Sequence, residues 1–227
     1  MWPSRWFGRS AAEDQALRWL VLDVETTGLD VRNDHLLAIA AVAVQTDGDR
    51  MRVLPGDSFE ATLRARKATS GDNIAPSAAV DKANILVHGI GVQAQLHGTE
   101  PAVVLRAFGA WAAGAPLLGF HVGFDRQMIC RAERAQLGRA ERVGSRSQWI
   151  DIEALAAISQ PQWPGHHSLD DWMLRFGVRC ARRHQAAADA LATAELLMRL
   201  WPALHRAGAR SASDLHRLAR GRRWLAS

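Results

Sequence analysis

The sequence predicts a single α/β domain built on a mixed β-sheet. Three observations carry this. Strongly apolar, strand-like segments come first and are separated by turn residues. Short strands then alternate with helical patterns. The 227 residues suit one domain with a sizeable core better than two very small ones.

Residues 19–24 and 36–44 read as strands, and residues 59–63 as a weaker third. Thr27-Gly28-Leu29-Asp30 turns the chain after the first, and Thr46-Asp47-Gly48-Asp49 suits a hairpin after the second. This opening part is expected to be antiparallel. Residues 65–83 are polar, without a period, and are expected to be a loop. Glu100-Pro101 opens a helix to about residue 113, since Pro is tolerated in a first turn. Residues 117–120 form a short buried strand, followed by a helix over 125–137. A short helix is expected within 150–158. Ser168-Leu169-Asp170-Asp171 resembles a capping box opening a helix that ends at Gly177. The helix over 185–200 is the clearest.

Composition bounds the function. Net charge is +5, a mild lean toward polyanionic partners. The two cysteines, Cys130 and Cys180, form no CxxC pair, so neither a zinc site nor a disulfide framework is indicated. A reduced, cytoplasmic protein is expected. The N-terminus shows no apolar signal core, and the longest apolar run, residues 36–44, is too short to span a bilayer, so no membrane partner is expected. Beyond Pro202, residues 205–227 carry six arginines against one acidic residue, Asp214. They read as a solvated basic helix on the domain, or as a contact surface for nucleic acid backbone.

Three strings carry chemistry. Asp23 and Glu25 are two apart on a strand, so both point to one face, where they repel each other unless a cation lies between them. Thr26-Thr27-Gly28 then turns sharply. Asp125 lies just after the strand at 117–120, as a helix N-cap or as a ligand at a strand-to-helix junction. Asp189 shares a stripe with Ala186, Thr193, Leu196, Leu197 and Leu200. That stripe should face the core, so Asp189 needs a partner, a metal ion or a buried arginine. His184 is five residues before Asp189, off its helical face, on the loop entering the helix. Arg179, Arg182 and Arg183 precede it, as phosphate contacts or as solvated loop residues. Several carboxylates from different elements, with one histidine to take a proton, form a set suited to hydrolysing a phosphodiester with two divalent ions.

On these residues the chain resembles the DEDDh-type 3′–5′ exonucleases, the DnaQ-like family of the proofreading epsilon subunit of bacterial replicative polymerases and of RNase T. DxETTG is matched by residues 23–28 and HxAxxD by residues 184–189, in the right order. The resemblance covers roughly residues 18–200. It implies a ribonuclease H-like fold with a mixed central sheet flanked by helices. It implies two divalent cations, Mg²⁺ or Mn²⁺, held by Asp23, Glu25, Asp125 and Asp189, with His184 as general base. It implies substrate contacts by Thr26 and Thr27 through their backbone, by His88-Gly89-Ile90, and by His121. The family's GHNxxFD is altered here to Gly119-Phe120-His121-Val122-Gly123-Phe124-Asp125, which leaves the acidic ligand intact. Asp151 also matches a frequent family position, with an N-cap role at a short helix.

The expected organisation is an extension over 1–17, an exonuclease domain over 18–203, and a basic helical tail over 204–227 packed on that domain. The expected activity is metal-dependent release of nucleoside 5′-monophosphates from 3′ ends of single-stranded DNA or RNA. Two alternatives stand beside it: a non-catalytic nucleic-acid or polymerase-binding module, and a phosphodiesterase acting on short oligonucleotides. Single-stranded 3′ ends are the expected partners. A DNA polymerase subunit is a further one if the chain proofreads; a stand-alone nuclease in repair or RNA processing needs none.

Overall fold

A computed structural model of the protein describes residues 18–64 and 82–223. The expected extension over 1–17 and most of the expected loop over 65–83 lie outside the described residues. In chain order the elements are β1 (Arg18–Thr26), β2 (Leu36–Asp47), β3 (Arg50–Thr62), α1 (Lys82–His88), α2 (Val92–His97), α3 (Pro101–Ala112), β4 (Leu117–Gly119), α4 (Gly123–Gln136), β5 (Trp149–Asp151), α5 (Ile152–Ser159), α6 (Leu169–Phe176), α7 (Ala186–Arg206) and α8 (Ala212–Arg223).

The strands form one five-stranded sheet in the order β3-β2-β1-β4-β5. β1 to β3 are antiparallel, while β4 and β5 run parallel to β1. Strand alternation splits the core into two layers. Trp19 and Val21 of β1 pack with α5, α6, α7 and α8 on one face. Leu20, Leu22 and Val24 pack with α3 and α4 on the other. The sheet is therefore covered on both sides, which explains why β2 is buried at nine consecutive positions.

Local chemistry sets the helix ends. Pro101 occupies the first turn of α3. Ser168 and Asp171 form a reciprocal capping box on α6, and Gly177 ends that helix in the left-handed region at φ 65°. α7 runs through Pro202 to Arg206, across the expected boundary at 203/204. α8 then folds back, placing Leu215 and Ala219 in the core beside α5. Among the described residues no helix is long and apolar enough to cross a membrane.

Four elements differ from expectation. β3 begins at Arg50, nine residues before the expected start. Pro55-Gly56, which interrupts the apolar pattern, is a bulge: Ala43 pairs with Leu54 and Val42 with Ser58, so residues 55–57 swing out of register. The bulged Asp57 then accepts hydrogen bonds from Arg18 (2.6 and 2.8 Å) and from the Trp111 indole (2.9 Å). β5 is a three-residue strand in place of the expected opening turn of a helix. α1 begins at Lys82, inside the span expected to be loop, and α2 follows it as a short helix that the sequence pattern does not announce.

Candidate active site

β1 and β4 lie side by side and parallel, and the chain leaves both at the same end of the sheet. Asp23 and Glu25 continue the face of Trp19 and Val21, the face on which α7 packs. Asp189 sits in the first turn of α7, 4% exposed, on the stripe continued by Thr193, Leu196, Leu197 and Leu200. One carboxylate oxygen from each of Asp23, Glu25 and Asp189 lies within 4.8 Å of the others. Among the described residues this is the one group of three or more carboxylate, histidine or thiol side chains close enough to share a metal ion.

Three carboxylates so close repel one another, and burial removes the water that would screen them. Burial, reinforced by Asp125, Glu25 and Asp189, holds Asp23 well above the usual carboxylate range. Burial, reinforced by Asp189, pushes Glu25 up to about 7. Glu25 Oε1 is moreover a buried oxygen without a hydrogen-bond partner. A buried acceptor left unpaired costs about 1–3 kcal/mol. A hard divalent cation held by oxygen ligands answers both features, so the donor set fits magnesium or manganese.

Asp125 stands beside this group and is not part of it. It is not the N-cap of α4: Val122 holds that position, and Asp125 lies in the first turn, 5% exposed. Burial pushes it up to about 7, against backbone N–H groups that include that of Val24. Asp151 is the N-cap of α5. Its Oδ1 accepts from Glu153 N and from His121 N, both at 3.1 Å. His121 itself is exposed and lies in the left-handed region at φ 54°.

His184 also has a positive φ, 59°. That conformation turns its N–H onto Asp189 Oδ2 at 2.8 Å and leaves the residue exposed. Asp189 Oδ1 accepts from the Arg183 guanidinium and from the Cys180 thiol at 3.3 Å. Of the two partners the sequence allowed for Asp189, the arginine is therefore present. Arg183 is bridged in turn to Asp170 at 2.7 Å. Neither Cys180 nor Asp170 was legible as a site residue, because hydrogen bonds across a loop leave no periodic signal.

The turn after β1 is built from its own side chains. Thr26 donates to Gly28 O (2.6 Å), and Thr27 N donates to His35 O (2.9 Å). The Thr27 hydroxyl donates to Asp34 Oδ1 (2.7 Å), whose Oδ2 accepts from Asp30 N (2.8 Å). Arg131 of α4 ties this loop down through the carbonyls of Val31 and Asp34. A Cβ on Gly28 would lie 2.5 Å from Asp34 Oδ2, and the hydrogen bonds keep Asp34 from yielding. Gly28→Ala should cost about 1–3 kcal/mol in urea unfolding, and Gly28→Ala with Asp34→Ala should recover part of that loss. His88 is buried and its Nδ1 accepts from Ile90 N at 2.9 Å, so it shapes the turn at Gly89. Gly89 (φ 73°) faces the Arg182 guanidinium: a Cβ there would be 3.3 Å from it. This brings the His88-Gly89-Ile90 segment to the loop of His184.

The RNase T exonuclease family model matches residues 20–197. The chain is 32% identical over 197 residues to a DNA polymerase III subunit epsilon-like protein of Rhodobacter capsulatus, covering 85% of this chain and 25% of that one. It is 29% identical over 184 residues to the PolC-type DNA polymerase III of Listeria monocytogenes, covering 80% of this chain and 11% of that one. The chain thus spans a quarter or less of the length of these curated relatives. Among solved structures, E. coli Exonuclease I in complex with a dT13 oligonucleotide superposes with a TM-score of 0.65 at 18% identity, covering 84% of this chain and 42% of that one. The mixed five-stranded sheet with helices on both faces is the ribonuclease H-like arrangement expected from the sequence.

Proposed function

Because the chain belongs to the RNase T exonuclease family, we propose that it is a metal-dependent 3′–5′ exonuclease that removes nucleoside 5′-monophosphates from the 3′ ends of single-stranded DNA or RNA. The observation that carries this is the convergence of Asp23, Glu25 and Asp189 within 4.8 Å, with a buried Glu25 oxygen left unpaired.

Asp23, Glu25, Asp125 and Asp189 would hold two divalent cations, Mg²⁺ or Mn²⁺. Bound there, such ions supply charge neutralisation at the phosphate and a more acidic attacking water. His184 is the proton acceptor for that water. It stands on an exposed loop, with its backbone N–H anchored on Asp189, so its ring can approach substrate while its main chain stays registered to the carboxylates. The turn of Thr26 and Thr27, the His88-Gly89-Ile90 segment and His121 would border the terminal nucleotide. Thr27 N–H is already given to His35 O, so the contribution of that turn is shape more than that donor.

A single strand suits a site of this kind, as in E. coli Exonuclease I, which has been seen with dT13. The relatives named for polymerase III make a polymerase subunit one candidate partner. The cysteines are unpaired, in keeping with work in the cytoplasm. The test is a time course on 5′-labelled, 3′-end-matched DNA and RNA single strands with Mg²⁺ and with Mn²⁺. A ladder shortening from the 3′ end is expected in metal and absent in chelator. Intact strands in both metals would overturn the enzyme reading. Tight metal-independent retention of the strand would favour the binding module, and faster turnover of dinucleotides than of 20-mers the small-oligonucleotide phosphodiesterase.

A further inference from the structure

We propose that Arg183 is a built-in cation that neutralises the carboxylate group in the metal-free protein and must leave Asp189 when a divalent ion binds. This rests on the metal reading above and adds a competitor to it. Arg183 is the residue next to the proposed base, on the loop that leads into α7. Its guanidinium bonds Asp189 Oδ1 through Nη1 and Asp170 Oδ1 through Nε at 2.7 Å. The Arg183 side chain is 28% exposed and that of Asp189 6%, so the pair is shielded from solvent on the Asp189 side. The positive charge also reaches Asp23 and Glu25, where it opposes the upward push of burial.

Asp189 already has three donors without any ion: the Arg183 guanidinium, the Cys180 thiol and the His184 N–H. A cation sharing this carboxylate with Asp23 and Glu25 would come beside a fixed positive charge, an unfavourable meeting at short range. Asp170 supplies the alternative. It is 62% exposed on its side chain and belongs to the first turn of α6, so Arg183 can keep that bond while giving up Asp189. His184 stays tied to Asp189 Oδ2 by its own N–H throughout, so the release concerns the guanidinium and not the loop as a whole.

The experiment measures Mn²⁺ binding by calorimetry, and melting with and without Mn²⁺, for the intact chain, Arg183→Gln and Arg183→Lys. Arg183→Gln should bind Mn²⁺ roughly threefold or more tighter, because the competitor is gone. Its metal-free form should melt roughly 2–4 °C lower, and the two proteins should converge in saturating Mn²⁺. Arg183→Lys keeps the charge but loses the planar fork that spans two carboxylates, so its affinity should fall between the two. Equal or weaker Mn²⁺ affinity in both variants would overturn the competition while leaving the metal site standing. If the unaltered protein binds no Mn²⁺ at all, the metal reading and this inference fall together.

Discussion

Asp23→Asn is expected to lose about 10³-fold or more in metal-dependent cleavage, with a metal-free fold that melts no lower than the parent. Asp23 is one of three carboxylates whose oxygens meet within 4.8 Å, so its loss removes a ligand from the centre of the group. A metal ion at a phosphoryl site contributes several kcal/mol of charge stabilisation, and each 1.36 kcal/mol corresponds to about tenfold in rate. The fold should not suffer, because Asp23 carries repulsion and burial without compensating donors that would stabilise it. His184→Ala should cost about 10²–10⁴-fold, the range of a positioned general base. Its backbone N–H, which anchors Asp189, survives that substitution. Metal affinity should therefore fall in Asp23→Asn and hold in His184→Ala. Calorimetric Mn²⁺ binding beside single-turnover cleavage separates the two roles. If His184→Ala also lost its Mn²⁺, the base assignment would be wrong.

The second large effect is one of pH on the metal-free protein. Glu25 and Asp125 each hold a proton up to about pH 7 in the folded state, against the ordinary 4.5 and 3.8 of the unfolded chain. Between these limits the folded protein binds more protons than the unfolded chain, so stability falls as pH rises from about 4 to about 7. The usual carboxylate pattern is inverted here because these groups are buried against one another. Asp57, held low by its hydrogen bonds from Arg18, works in the ordinary sense, and its contribution is lost only as pH falls below that window. The clean comparison is with variants. Metal-free Glu25→Gln and Asp125→Asn should each be more stable than the parent at pH 8, by about 2–3 kcal/mol, and indistinguishable from it at pH 4. Saturating Mn²⁺ should reverse the ranking at pH 8, since only the parent offers the complete ligand set. Stabilisation of the parent by Mn²⁺ should fade toward pH 5 as protons reclaim the carboxylates. Urea unfolding at the two pH values reads all of this. Variants that are less stable than the parent at pH 8 without metal would show that donors to the carboxylates, such as the Val24 N–H beside Asp125, outweigh the effect of burial.

Much of this site was legible in the sequence because its strongest parts are periodic. Alternation on a strand places Asp23 and Glu25 on one face, and the 3.6-residue period places Asp189 on the buried stripe of α7. Those two facts need no knowledge of the neighbours. The capping box at Ser168 and the Pro at the start of α3 are local in the same sense.

What escaped the sequence depends on pairing. β3 carries Pro55-Gly56 and reads as interrupted, yet β2 holds it in place on both sides of a bulge. β5 is three residues long and becomes a strand only beside β4. Asp125 had an N-cap reading that was sound on propensity. The turn at Val122 decided otherwise and drew the carboxylate inward beside Asp23. The sequence by itself determined which acids could meet and that Asp189 required a cation. Only the tertiary structure decided that the cation at hand is Arg183. A periodic pattern reports which face a residue occupies, whereas the partner on that face is set by a loop whose course follows from packing.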